Sequence, residues 1–430
     1  MRILDELPTF TRIYNALRSQ KRSLTKDAIN IYIFQGISLI VALVTSIFTS
    51  RTLGPSGKGL TNLFTLLTSL IIEFSLLGVH SGLVYYLSNK RKPLAEIHAS
   101  VIIYSVIASM IIILTGSSFI SPWKRIFSGL PEHLILLGFF MLPFVFYNRF
   151  WANLMTGVNL APKVYKIQLI YAILTLIGIA LLWIFNHLTP YNAVYLTAAV
   201  YILSAIINFL ILGKINRFRL AISPSVLTES LKHGLKIYPG HIANWFHFRI
   251  DQIMINWSVG LTGVGLYSQS VRWAEMLWLM GFGIMHACFY KISASDKKSS
   301  YYLTKKLFKI LMIYSSVAGL ILALISKQLF ALLYGRQFDA SVPPLIILIP
   351  GVIAWDCARI LSQYISFNRG KPHLCTIAAF FGMFVNIAGN TVAIPRWGIN
   401  GAAIASSLSY TLVFIITYFY FKRLEPNEKR

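Results

Sequence analysis

Four arginines, Arg149, Arg249, Arg272 and Arg359, stand inside apolar runs of the sequence. On the lenient insertion scale an arginine at mid-membrane costs about 2.5–3.5 kcal/mol, so each must meet a wet interior, a carboxylate or an anionic ligand. A guanidinium grips phosphate oxygens bidentately, and each charge-assisted bond contributes about 1.5–3 kcal/mol. Residues 245–257, WFHFRIDQIMINW, put Gln252 and Asn256 on the same helical face as Arg249, with no acid at helical spacing from it. Arg149, beside Asn148 and near Asn153, also lacks a local acid. These stripes read as walls of a cavity that binds an anion. Arg272 and Glu275 are three apart, as are Asp356 and Arg359, so Glu275 and Asp356 are candidates for structural ion pairs with arginines that are also ligand candidates. Lys232, Lys236 and Lys309 lie near span ends, where lysines snorkel.

Two other carboxylates have a different chemistry open to them. Glu73 shares a polar stripe with Asn62, Thr65, Ser69 and His80, and Asp251 has His247 four residues before it. A lone mid-membrane carboxylate such as Glu73 carries H⁺ or Na⁺, or pairs with an arginine across the bundle; both readings stand. Asn386 and Asn390, four apart, read as interhelical hydrogen-bonding groups. No catalytic constellation, metal-ligand cluster or bound cofactor is read, and Cys288, Cys357 and Cys375 lie in apolar stretches as small hydrophobes.

The elements that must position these groups follow from composition. Of 430 residues, 56% are hydrophobic and 12% charged, with a mean hydropathy of +0.65, against roughly 25% charged in soluble domains. This predicts an all-α, polytopic integral membrane protein. The net charge of +25 sits mainly in short connectors, so it reads as topological and not as a nucleic-acid surface. Runs able to cross a ~30 Å core fall near residues 27–50, 60–87, 94–116, 132–155, 164–185, 191–213, 228–258, 265–290, 301–326, 343–367, 374–394 and 400–421. With both termini on one side, that side holds 25 Lys and Arg against 7 on the other, predicting cytoplasmic N- and C-termini. The first 26 residues lack the apolar core of a signal peptide, and no connector has room for a soluble catalytic domain.

The chain repeats at an offset of 206 residues: LGPSGKGL at 53–60 lies over VGLTGVGL at 259–266, matching Gly54, Gly57 and Gly59 to Gly260, Gly263 and Gly265. Without a preceding strand these glycines read as tight turns between helices rather than a phosphate cradle. The expected organisation is a tail (1–26), a first six-helix lobe (27–213), a linker (214–227), a second lobe (228–421) and a tail (422–430), related by an axis along the membrane normal.

The segments TSRTLGPSGKGLTNLFTLLTSLIIEFSLLGVHSGLVYYLS, RIDQIMINWSVGLTGVGLYSQSVRWAEMLW and IPRWGINGAAIASSLSYT resemble, in order and topology, the Wzx-type polysaccharide-biosynthesis flippases. Those belong to the superfamily that includes the MATE exporters and the lipid II flippase. The resemblance spans about 25–421. It implies a V-shaped twelve-helix bundle in a bacterial inner membrane that opens alternately to each side. The implied cargo is an oligosaccharide repeat unit on a polyprenyl pyrophosphate, destined for O-antigen, capsule or exopolysaccharide. It also implies a cationic cavity, met here by Arg149, Arg249, Arg272 and Arg359, and partners among membrane lipid and the polymerase and chain-length proteins. The rival readings are an H⁺- or Na⁺-coupled small-molecule exporter with the same bundle, and a membrane enzyme or scaffold of polysaccharide assembly.

Overall fold

The computed structural model describes residues 24–80, 82–83, 93–158, 160–215 and 223–426. The N-terminal tail up to 23, the inner end of the second expected span, the basic NKRK connector, residues 216–222 of the 214–227 linker and residues 427–430 lie outside the described residues.

Every regular element described is helical. The chain runs through α1 (Leu24–Ser75), α2 (Leu94–Ser118), α3 (Ile120–Ile126), α4 (Glu132–Phe140), α5 (Leu142–Gly157), α6 (Ala161–Ile184) and α7 (Pro190–Ile215). It continues through α8 (Pro224–Ser258), α9 (Leu261–Glu275), α10 (Trp278–Ala294), α11 (Lys297–Leu333), a 3₁₀ turn (Arg336–Ser341), α12 (Val342–Gln363) and α13 (Pro372–Arg423).

Two of these are hairpins within one continuous run of 52 residues. α1 breaks at Gly54 (φ 67°) and α13 at Gly398 (φ 55°), a backbone region that side chains bearing Cβ avoid. Pro55 and Pro395, next to the breaks, each withhold a helical N–H donor. The arms then run back on themselves. Lys58 Nζ donates to Thr49 Oγ1 at 2.9 Å, and Asn386 Nδ2 to Ser406 Oγ at 3.1 Å.

Among the described residues, seven helices are long and apolar enough to cross a membrane, or eight if the bent pair α4 and α5 is one span. α8 and α9, which carry Arg249, Asp251 and Arg272, are not among them. Their polarity has been kept inside the molecule while the apolar side chains face out. Ile177, Leu181 and Ile184 of α6 and Leu320, Leu324 and Leu332 of α11 are all exposed, the reverse of a soluble core and the arrangement that lipid requires. Outside the apolar zone, Asp296 caps α11, accepting from the Lys298 and Ser299 amides at 3.0 Å. The Ser299 side chain and these amides hold its carboxyl below the usual carboxylate range.

The buried side chains form one cluster in the first half, around Leu63, Phe146, Phe150 and Trp151, and two in the second, around Tyr267, Leu345 and Trp355 and around Tyr301, Tyr364 and Phe421. α8 serves both halves. Its Trp245 and Ile253 enter the first cluster, and its Ile255 the second. The stripe at 249–256 therefore lies at the seam between halves.

Candidate functional site

At one end of the seam the two glycine turns meet. A Cβ on Gly59 would lie 1.8 Å from the Leu261 carbonyl oxygen, and one on Gly265 would lie 1.8 Å from that of Pro55. Gly265 is the repeat image of Gly59, and Leu261 that of Pro55. The contact is thus reciprocal, as across a twofold axis. Gly54 and Gly260 supply positive φ (67° and 81°), while Gly57 and Gly263 pack on Pro190 and Val259.

Polar side chains close the seam below these turns. Asn62 Nδ2 donates to Gln252 Oε1 at 2.6 Å, and Asn256 Nδ2 to the Ser128 carbonyl at 2.6 Å. Trp245 Nε1 reaches Ser69 Oγ at 3.3 Å. Gln252 and Asn256, expected on an open wall, are buried and join the halves in this conformation. At the far end, Gly78 and Gly234 pack backbone to backbone, as do Gly82 and Ser230.

The arginines divide into two groups. Arg249 forms a fork with Glu275, Nη1 to Oε1 at 3.0 Å and Nη2 to Oε2 at 3.4 Å. The i, i+3 spacing had given Glu275 to Arg272. Glu275 is instead the last residue of α9, and α8 presents both nitrogens of Arg249 to both its oxygens, which suits a carboxylate better than a single contact along the helix. Arg359 does pair along its helix, with Asp356 at 3.3 Å. Among the described residues, no carboxylate lies within ion-pair distance of Arg272 or Arg149. Arg149 is exposed, within electrostatic reach of His80 and Tyr201. Lys58, which reads as a connector charge in the sequence, is buried and close enough to Arg272 to act on it; a lysine following Gly57 in a close-packed turn was the available signal.

Glu73 faces the other half. Its Oε1 lies 3.6 Å from His241 Nδ1 on α8, and the His241 ring packs edge-on against His80 at 5.6 Å. Its partner across the bundle is a histidine and not an arginine.

Asp251 turns away from the seam into a buried network. Oδ1 accepts from the Gln252 amide (2.8 Å), and Oδ2 from Tyr267 Oη (2.7 Å) and Ser406 Oγ (3.1 Å). Asn386 joins Ser406 to Ser409, whose hydroxyl meets His247 Nε2 at 2.9 Å, and Asn390 donates to Asn386. Asp251→Ala leaves the buried Tyr267 and Ser406 hydroxyls without their carboxylate acceptor and is expected to cost about 2–5 kcal/mol. Thermal unfolding of the purified chain checks this, with Asp251→Asn melting between the two. An Asp251→Ala protein that melts with the wild type would rule out a structural role.

The profile of the family described as "Polysaccharide biosynthesis protein" matches residues 24–289. An uncharacterised membrane protein of Methanocaldococcus jannaschii is 20% identical over 314 residues. That alignment covers 69% of this chain and 60% of the relative, so the chain spans about 60% of the length of the curated relative it matches. The lipid II flippase MurJ, in an inward closed conformation, superposes with a TM-score of 0.71 at 14% identity, covering 92% of this chain and 90% of that one. A multidrug-resistance MATE transporter of the MOP superfamily, inward-facing, gives 0.70 at 14% identity, covering 92% and 98%. These structures establish a shared fold.

Proposed function

This chain belongs to the polysaccharide biosynthesis protein family, and from that premise we propose that it is a flippase for an oligosaccharide repeat unit linked to polyprenyl pyrophosphate. In this reading twelve spans form two lobes, residues 27–213 and 228–421, with both termini cytoplasmic in a bacterial inner membrane. The two broken 52-residue helices each supply two spans, and the polar α8 and the pair α9 and α10 supply two more. The chain is a multi-pass membrane protein; the finer topology rests on the distribution of lysine and arginine.

The observation that carries the reading is the cationic excess within a lipid-facing bundle: buried Lys58, partly buried Arg272 and exposed Arg149 have no carboxylate within ion-pair distance among the described residues. A buried cation without a counter-charge is costly, and a diphosphate supplies the charge. Cations draw the diphosphate in from the cytoplasmic leaflet, the sugars fill the space between lobes, and the prenyl tail stays in lipid. The lobes then rock so that the glycine seam opens as the far end closes. H⁺ or Na⁺ taken up at Glu73 or Asp251 biases the cycle through its differential affinity for the two states; imposing each gradient separately across proteoliposomes distinguishes the ions. An export role for small cations fits less well, since at the seam Lys58, Arg149 and Arg272 lack a carboxylate within ion-pair distance among the described residues.

Arg149→Ala is the first test. Losing one charge-assisted bond to phosphate is expected to slow translocation by about 10- to 150-fold, with abundance unchanged because Arg149 has no carboxylate to strand among the described residues. The measurement is translocation of a labelled polyprenyl-pyrophosphate glycan by proteoliposomes of this protein alone. Wild-type rates in the variant would remove Arg149 from the path, and no translocation by the wild type would end the flippase reading.

A further inference from the structure

A second cation beside a cavity lies wholly in the second half of the chain. α8, α10, α12 and α13 enclose a cavity of about 310 Å³ lined by Asn244, Trp355, Arg359, Gln363, Thr376 and Thr417. That is near the lower end of small-ligand sites, roughly 300–1,000 Å³. The Arg359 guanidinium carbon lies over the Phe282 ring, 3.7 Å from its centroid, with the Trp278 ring at 5.8 Å. A cation–π contact consumes none of the guanidinium's N–H donors. Of five N–H donors, the structure engages one, from Nη1 to Asp356 Oδ1 at 3.3 Å.

Asp356 is the unusual member. Its side chain is 1% exposed, and Oδ2 is buried with no hydrogen-bond partner. It rests against Gly281, where a Cβ would lie 2.1 Å from Oδ1. Its titratable neighbours on α12 are Arg359 and the Cys357 thiol. Among the described side chains, α10 packs Gly281 against it and the uncharged rings of Trp278 and Phe282 against its partner Arg359, and no charged group other than Arg359 acts on it. The carboxylate thus depends on a single long contact to a cation that borders an open cavity.

We infer that this cavity is a diphosphate site in which the incoming anion displaces Asp356 from Arg359, and Asp356 takes up a proton given by the buffer and relayed through the cavity as its partner leaves. The inference rests on the flippase reading above and names a proton-coupled step within it. Both arginine edges turn to phosphate oxygens. The stranded carboxylate, sealed against Gly281, becomes neutral, since a buried charge without a counter-ion is not sustained. Anion release reverses both changes and returns the proton to the buffer.

The probe is inorganic pyrophosphate added to the purified full-length chain, followed by titration calorimetry in buffers of different ionisation enthalpy. Wild-type protein is expected to take up roughly one proton more per pyrophosphate than Asp356→Asn. Asp356→Asn, freed of the competing charge, should bind about tenfold tighter or more, and Arg359→Gln about tenfold weaker or more. Infrared difference spectra of the wild type should gain a protonated-carboxyl band on adding pyrophosphate. Equal proton counts in wild type and Asp356→Asn would overturn the inference. So would the absence of that band in the wild type, a result that stands even if the variant fails to fold. Pyrophosphate binding undiminished by Arg359→Gln would overturn this site while leaving translocation through Arg149 intact. If the wild type neither binds pyrophosphate nor moves the labelled glycan, both readings fall.

Discussion

Gly59→Ala and Gly265→Ala are each expected to hold the two halves apart at the glycine seam and to cut translocation by about tenfold or more, within the 5- to 150-fold that 1–3 kcal/mol of overpacking allows. A methyl group 1.8 Å from a backbone carbonyl cannot be absorbed by a rotamer change, because both the new atom and the oxygen it meets are fixed to helices. The helices themselves must separate. Since the two substitutions obstruct one contact from opposite sides, the double variant should be little worse than either single one, a departure from additivity. Spin labels on Ser56→Cys and Thr262→Cys, exposed residues flanking the two turns, would report a longer separation in each glycine variant. Unchanged separations, with rates within about twofold of wild type, would show that the seam does not need to close.

The second large effect concerns Arg249. Replacing it with Ala strands Glu275, and with the pair a quarter to a third exposed the expected loss is about 2–3 kcal/mol, below the 3–5 of fully buried pairs. Protein yield should fall as well as translocation, so the single variant confuses support with ligand contact. The double variant Arg249→Ala with Glu275→Ala separates them: thermal stability should largely return, while translocation stays at least about tenfold down because the guanidinium is missing. A double variant that transports at the wild-type rate would make the fork a brace between α8 and α9 and nothing more. Glu275→Gln should do the opposite of the single arginine variant, leaving Arg249 with more donors for an anion.

Much of the helical layout is legible in the sequence, because a ~30 Å hydrocarbon layer demands long apolar runs and every backbone group must be paired. The repeat of Gly54, Gly57 and Gly59 in Gly260, Gly263 and Gly265 carries the positive-φ turns, since φ is a property of one residue and its neighbours. The partners of the charges were less legible. Glu275 and Arg249 are 26 residues apart, and nothing along a helix specifies that α8 crosses the end of α9. His241 opposite Glu73 and the burial of Lys58 follow from the same packing of halves. The Asp356 and Arg359 pair was visible because i, i+3 proximity is local; its orphaned oxygen was not, since that depends on Gly281 of another helix. The break between α9 and α10 carries no Gly or Pro, and is marked only by i+3 hydrogen bonds at Leu277 and Leu279.

Two tyrosines hold a last consequence. Tyr32 donates to the Gly283 carbonyl and Tyr238, its image 206 residues on, to that of Phe74. The image of Phe74 is residue 280, so the second bond falls three residues, about 4.5 Å of helix, out of step. At the glycine end the halves match residue for residue; here they do not. A duplicated machine whose halves mesh at one rim and sit about a turn out of step at the other must part through different contacts at each rim, so opening to one side and opening to the other are not mirror-image events.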